Sequence, residues 1–212
     1  GSVPLPAYRI EDGVVQWQRG PTGRHVYNTS YLFGPDGRVL GKQDKVELIE
    51  LETEAALGLQ GGTIADLQVF ETPVGRVGIA ICLDAFDKDV VARLVEEGAQ
   101  ILVQPSANPG PWDTWQQEDW LRSSHQRVAV EGHFAYAVNP MLNGPLWDIG
   151  FFGQSAIVAA DRVAEGVAGG ANAGGGLGYV DLEPLPGFVR MAGSDRGEEV
   201  LVAVVPHPDS LE

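Results

Sequence analysis

The sequence predicts an α/β fold, in the looser α+β sense of a mixed sheet whose later half is mostly strand. Three observations carry that expectation. A strand, helix, strand succession runs from residue 76 to 104, hairpin punctuation precedes it, and short β-rich runs follow residue 133. The 212 residues are enough to bury an ordinary core and are read as one domain over 1–212. With 44% apolar and 20% charged residues, the composition is that of an ordered globular chain.

Val26 to Phe33 alternates and is rich in β-formers, meets Gly34-Pro35-Asp36-Gly37, and resumes at Arg38-Val39-Leu40, which is a hairpin signal. Arg9 to Gly13 reads as a turn. Leu67 to Thr72 and Arg76 to Cys82 flank Pro73-Val74-Gly75 as a second hairpin whose later strand is apolar throughout, as a strand buried on both faces would be. Asp87 to Glu97 sets Val90, Val91, Leu94 and Val95 on one stripe, with acidic residues in the first turn and Gly98 as the stop. Ala99 to Gln104 reads as a buried strand ended by Pro105, completing a crossover unit. Asp113 to about Glu131 reads as a long helix. Strands are expected at 133–138, 155–160, 177–182 and 200–205. The glycine-rich run 166–178 lacks the strand, helix and Lys-Ser/Thr pair of a phosphate cradle and reads as a flexible hairpin loop.

The formal net charge of −15 repels phosphate backbones and anionic bilayers, so neither nucleic acid nor membrane is an expected partner. No apolar stretch approaches the roughly 18 residues of a membrane span, and no basic-then-apolar leader opens the sequence. A single cysteine allows no internal disulfide, which fits a reducing, cytoplasmic setting.

That cysteine, Cys82, ends the apolar run Val77 to Ile81 and precedes a helical pattern, where an α/β fold would place a nucleophile. A helix N-terminus and a nearby lysine ammonium would favour its thiolate. Histidines 25, 125, 133 and 207 show no metal-ligand spacing, so no metal site is expected. A Cys-His hydrolase would require His125 or His133 beside Cys82, and the sequence leaves that open.

Several short strings occur in a fixed order: Asn28-Thr29-Ser30-Tyr31, Pro35-Asp36-Gly37-Arg38-Val39, Lys45-Val46-Glu47-Leu48 with Glu52 seven residues beyond the lysine, Thr72-Pro73-Val74-Gly75-Arg76-Val77-Gly78, Ile81-Cys82-Leu83-Asp84, Gly98-Ala99, Pro105-Ser106-Ala107 and Phe152-Gly153-Gln154-Ser155. In that order and spacing the chain resembles the nitrilase superfamily of carbon–nitrogen hydrolases along nearly its whole length.

The resemblance implies a four-layer αββα sandwich, incomplete at its N-terminus. Gly1-Ser2-Val3-Pro4 resembles the end of a later family strand, so the first strand–helix segment and the general-base glutamate it carries are expected to be absent from this sequence. It further implies Cys82 as nucleophile, Lys45 as stabiliser of the tetrahedral intermediate, Glu52 as supporting glutamate and the Leu83 N–H as second oxyanion donor. Phe86, Trp112, Trp147, Phe151 and Phe152 are candidate pocket walls. The implied activity is hydrolysis of an amide, nitrile or carbamoyl compound through a thioester, with no cofactor and no metal, in a homodimer or larger assembly. The alternative is a non-catalytic binding or assembly module that retains these residues.

Overall fold

The structure, a computed structural model, describes residues 6–21, 26–53, 57–146, 148–164 and 177–211. Strands β1 (Pro6–Glu11) and β2 (Val14–Pro21) form an antiparallel ribbon. Asp12 and Gly13 turn it with φ of 51° and 72°, the left-handed pair that an Asp-Gly hairpin supplies. The expected turn at Arg9 to Gly13 is therefore confined to its last two residues, and Glu11 closes a strand.

Strands β3 (Thr29–Phe33) and β4 (Val39–Asp44) make the first anticipated hairpin, closed by the Gly34 N–H on the Arg38 carbonyl at 2.7 Å. Along β4, Val39, Gly41 and Gln43 are buried while Leu40 is exposed and Lys42 and Asp44 are half-buried. Gly41 has a packing reason, since a Cβ there would lie 2.1 Å from the Phe70 ring.

The main sheet has six strands in the order β14-β13-β9-β7-β6-β5. They are β5 (Val69–Thr72), β6 (Gly75–Ile79), β7 (Ile101–Val103), β9 (Tyr136–Asn139), β13 (Ala156–Ala159) and β14 (Phe188–Met191). Short pairs lie outside it, β8 (Ser106–Ala107) with β10 (Met141–Leu142) and β11 (Gly144–Leu146) with β12 (Ile149–Phe151). The pairs β6/β7 and β7/β9 are parallel and the others in the sheet antiparallel, so the mixed sheet expected of an α/β fold is present.

Helix α1 (Lys88–Glu96) links β6 to β7. Asp87 caps it by accepting the Asp89 and Val90 N–H groups, and Gly98 ends it at φ 82°. Val90, Val91 and Leu94 are buried; Val95, placed on the same stripe by the sequence pattern, is 37% exposed at the edge of that face. A Cβ on Gly78 would touch Leu94 at 3.3 Å, so α1 lies against the face shared by Gly78, Leu102, Ala137 and Val158. On the opposite face, Val103 and Ile157 are half-buried and Val138 is exposed.

The long helix expected over 113–131 is broken. Helix α2 (Thr114–Trp120) stops, and a wider π-type turn runs over Gln126–Val130. The break has a local cause: Ser123 Oγ donates back to the Trp120 carbonyl at 2.7 Å, and the Ser124 N–H donates to the Gln104 side chain at 3.3 Å instead of a helical carbonyl.

Two expected strands do not form. Around 177–182 there is one bridge, Leu177 to Leu185. Residues 200–205 join no ladder among the described residues and leave Val200 88% exposed. Alternation marks a stretch as compatible with a strand, but a ladder also requires a neighbouring backbone. The glycine-rich run lies outside the described residues except for Leu177 and Gly178.

Candidate functional site

Lys45 follows β4 directly and continues its inward alternation, which buries it to 2% exposure. Its Nζ pairs with Glu52 Oε2. Glu52 ends a short 3₁₀ turn, Glu50–Glu52, and its carboxylate also accepts the Asn28 side-chain amide at 2.7 Å and the Ile49 N–H at 3.0 Å. Burial pushes the Glu52 carboxyl up, but the hydrogen bonds from Lys45, Asn28 and Ile49 and the lysine charge outweigh it and hold the group below its ordinary value. A carboxylate so committed is a weak proton acceptor and a good anchor for an ammonium.

Cys82 begins the four-residue turn Cys82–Ala85 beyond the end of β6. Its φ is +53°, a left-handed conformation uncommon for a residue with a side chain. The conformation is braced from β7, because the Cys82 N–H donates to the Pro105 carbonyl at 3.0 Å and its carbonyl accepts the Gln104 side-chain amide at 3.0 Å. The sulfur is 3.9 Å from the Ala107 carbonyl.

Burial pushes the Cys82 thiol up; Lys45 opposes this, as do the backbones of Ala107 and Leu83, while Glu52 reinforces it. The expectation that cation and helix would leave a depressed thiol is thus corrected. Desolvation exceeds the lysine's effect, and the first turn of α1, starting at Lys88, is already capped by Asp87.

Asp84, two residues after the cysteine, is fully buried, and the sequence pattern does not single it out. Its carboxylate accepts the Ile81 N–H at 3.1 Å, and reaches across to the Val46 N–H at 3.1 Å and the Glu47 N–H at 2.7 Å. Burial raises its carboxyl to about 6 against the pull of those backbone donors and Lys45. Arg127 closes the other end of the turn, donating to the Ala85 and Phe86 carbonyls while paired with Glu131. Asn28, Gln104 and Arg127 likewise escape a reading of the sequence. The signals for their roles are scant: Asn28 and Asp84 stand in strings that carry the resemblance and Gln104 ends a buried strand, but nothing in the sequence assigns any of them a partner.

Lys45 and Glu52 therefore pair, and the charges of both, with the Leu83 backbone, act on the Cys82 thiol. The aromatic candidates divide. Phe86 packs edge-on against Trp120 at 5.3 Å, and Trp112 is buried against Trp120 and Tyr179 with its Nε1 donating to Gln154. Phe151 is buried in β12. Trp112 and Phe152, with Pro109, Asp195 and Arg196, line an open cleft of about 620 Å³, Arg196 lying 5.6 Å over the Phe152 ring. Trp147 lies outside the described residues.

His125 stacks on Phe188 and its Nε2 meets the Pro186 carbonyl at 2.9 Å; burial holds it neutral by lowering its pKa. His133 is exposed and 3.2 Å from Glu131. Both rings are engaged away from Cys82, His125 by Pro186 and Phe188 and His133 by Glu131, which speaks against the Cys-His arrangement. Among the described residues no cluster of three metal-ligating side chains occurs, and no helix is long and apolar enough to cross a membrane.

Known proteins share the sequence pattern and the fold. Omega-amidase NIT2 of Xenopus tropicalis is 32% identical over 101 residues, a match spanning 43% of this chain and 37% of that protein. Nit3 of Saccharomyces cerevisiae, a member of branch 10 of the nitrilase superfamily, superposes with a TM-score of 0.60 at 22% identity over 88% of this chain and 56% of its own. An amidase of Nesterenkonia sp. AN1, in a mutant form carrying the acetamide moiety of fluoroacetamide on its active-site cysteine, superposes with a TM-score of 0.50 at 25% identity over 62% of this chain and 46% of its own. The chain thus spans about half the length of these structures and less of the curated relatives. The carbon–nitrogen hydrolase pattern matches residues 12–181, a span that takes in both the lysine turn and the cysteine turn, and the chain belongs to that family.

Proposed function

We propose that the chain carries the site of a cysteine-dependent hydrolase of small carbon–nitrogen compounds, acting on an amide in preference to a nitrile or carbamoyl group. The observation that carries this reading is the buried Lys45 ammonium, anchored by Glu52 and acting on the Cys82 thiol. A buried lysine held in place by one carboxylate is positioned to donate to a reacting oxygen. Amidase relatives, one with an acetamide moiety joined covalently to its active-site cysteine, support the same reading.

In the proposed reaction Cys82 Sγ gives up its proton and attacks the amide carbon. The carbonyl oxygen becomes an anion that accepts from Lys45 Nζ and the Leu83 N–H. The carbon–nitrogen bond breaks and nitrogen leaves as ammonia or an amine, taking a proton. Water then cleaves the thioester to a carboxylic acid and restores the thiol. A base for that water is required besides Glu52, whose hydrogen bonds commit it to Lys45, Asn28 and Ile49.

Burial of the thiol in its neutral form favours a second reading, a binding module that retains the site without turnover. Mass spectrometry after mixing with a panel of small amides and nitriles separates the two. An acyl mass on Cys82, absent from Cys82→Ala, is the expected result. The absence of any adduct across a broad panel overturns the hydrolase reading.

A further inference from the structure

The groups proposed to react come from two segments far apart in sequence. Lys45 sits at the end of β4 and Cys82 at the end of β6, with no ladder bond between the two strands. Alignment of ammonium and sulfur therefore depends on a separate link. Asp84 supplies one: one carboxylate oxygen takes the Glu47 N–H at 2.7 Å and the Val46 N–H at 3.1 Å, and the other takes the Ile81 N–H at 3.1 Å. The donors are the two residues after Lys45 and the residue before Cys82.

We propose that Asp84 is a positioning residue that locks the lysine segment to the cysteine turn and so sets the approach of the Lys45 ammonium to the Cys82 sulfur. It rests on the hydrolase reading only in naming that thiol and ammonium as the reacting pair.

The choice of side chain supports the role. Asp84 is fully buried and its hydrogen bonds go to backbone N–H groups, so among the described residues its charge is desolvated without a directly paired cation. Such a group is expensive in stability and is retained where it specifies an arrangement. Only a carboxylate offers acceptors on both oxygens. An asparagine would satisfy one side and turn an NH₂ toward an N–H on the other.

The test is the rate of Cys82 alkylation by iodoacetamide against pH, read by mass at Cys82, in wild type, Asp84→Asn, Lys45→Met and the double variant. Alkylation needs a thiolate but no turnover, so failure of the hydrolase reading leaves this test intact. Loss of Lys45 is expected to slow alkylation near neutral pH about tenfold, the effect of a nearby opposite charge on a pKa. If Asp84 aligns the lysine, Asp84→Asn slows alkylation in the same direction, and adding Lys45→Met changes little further.

The sign discriminates. Removing a negative charge near a thiol would by itself speed alkylation, so slowing comes from lost alignment. An unchanged or faster rate in Asp84→Asn, with the full tenfold effect of Lys45→Met surviving in the double variant, overturns the proposal even if stability drops. Should Asp84→Asn fail to fold, hydrogen exchange of the wild-type Val46 and Glu47 amides decides. Protection matching that of Ile81 is expected, and exchange at the rate of exposed loop amides overturns the link.

Discussion

Gln104 donates its side-chain amide to the carbonyl of Cys82 at 3.0 Å, while the next residue, Pro105, accepts the Cys82 N–H at 3.0 Å. The end of β7 thus pins both backbone polar groups of a residue whose φ of +53° costs of the order of 1 kcal/mol or more. The residues just beyond β7 hold Cys82 in that conformation.

Replacing Cys82 therefore tests the strain directly. Cys82→Gly removes the Cβ that disfavours a left-handed conformation, whereas Cys82→Ala keeps it. The glycine variant is expected to be more stable than the alanine variant by about 1 kcal/mol, the reverse of the usual order in regular structure, in denaturant unfolding. Equal stability would show that the turn relaxes.

Gln104→Leu removes the donor to the Cys82 carbonyl and the acceptor of the Ser124 N–H. Two backbone groups lose a partner, for an expected loss of about 2–6 kcal/mol at about 1–3 per orphaned group. Urea titration measures it. Cys82 alkylation in the same variant should lose its single pH midpoint as the turn becomes heterogeneous.

Glu52→Gln leaves the Lys45 ammonium buried without its anion, for an expected loss of about 3 kcal/mol. In any amide turnover assay, kcat should fall more than KM, because the lysine acts on the developing oxyanion. A rise in KM alone would move Glu52 to ground-state binding.

The two buried carboxyls make stability depend on pH in opposite senses. Glu52, held below its ordinary value, contributes stability that is present above its unfolded pKa and is lost as pH falls through the folded one. Asp84, raised from 3.8 to about 6, contributes stability that is fully present below 3.8 and is lost as pH rises through about 6. The gap in unfolding free energy between wild type and Asp84→Asn should therefore move in favour of the variant between pH 4 and 7, by about 3 kcal/mol at 1.36 per pKa unit. A constant gap over that range would place Asp84 in solvent.

His125→Gln and His133→Gln should leave Cys82 alkylation unchanged, since one ring is held by Pro186 and Phe188 and the other faces Glu131. A fall of tenfold in either would restore a histidine to the site.

Much of this site is legible from sequence because order and spacing survive without coordinates. Lys45, with Glu52 seven residues beyond it, and Cys82 stand in two of the short strings whose succession identifies the family. The hairpins at 34–37 and 73–74 and helix α1 are marked by local chemistry, namely Gly and Pro in turns, an Asp cap and a Gly stop.

Partners outside any local window account for the misreadings. The helix over 113–131 has a continuous pattern, but Gln104 on another element captures one of its N–H groups. The segment 200–205 has the alternation of a strand, but pairing depends on a neighbour that no short window contains.

Sequence by itself determined the strand and helix that flank the cysteine, through periodicities of two and 3.6, and the family, through the order of short strings; Lys45 and Glu52 stand out by that resemblance alone. Tertiary structure alone decided the state of the thiol and the alignment of the lysine. The first is a balance between desolvation and one buried ammonium, and the second rests on a carboxylate spanning residues 38 apart in the chain. Both are sums over neighbours in space, which the order of residues does not contain.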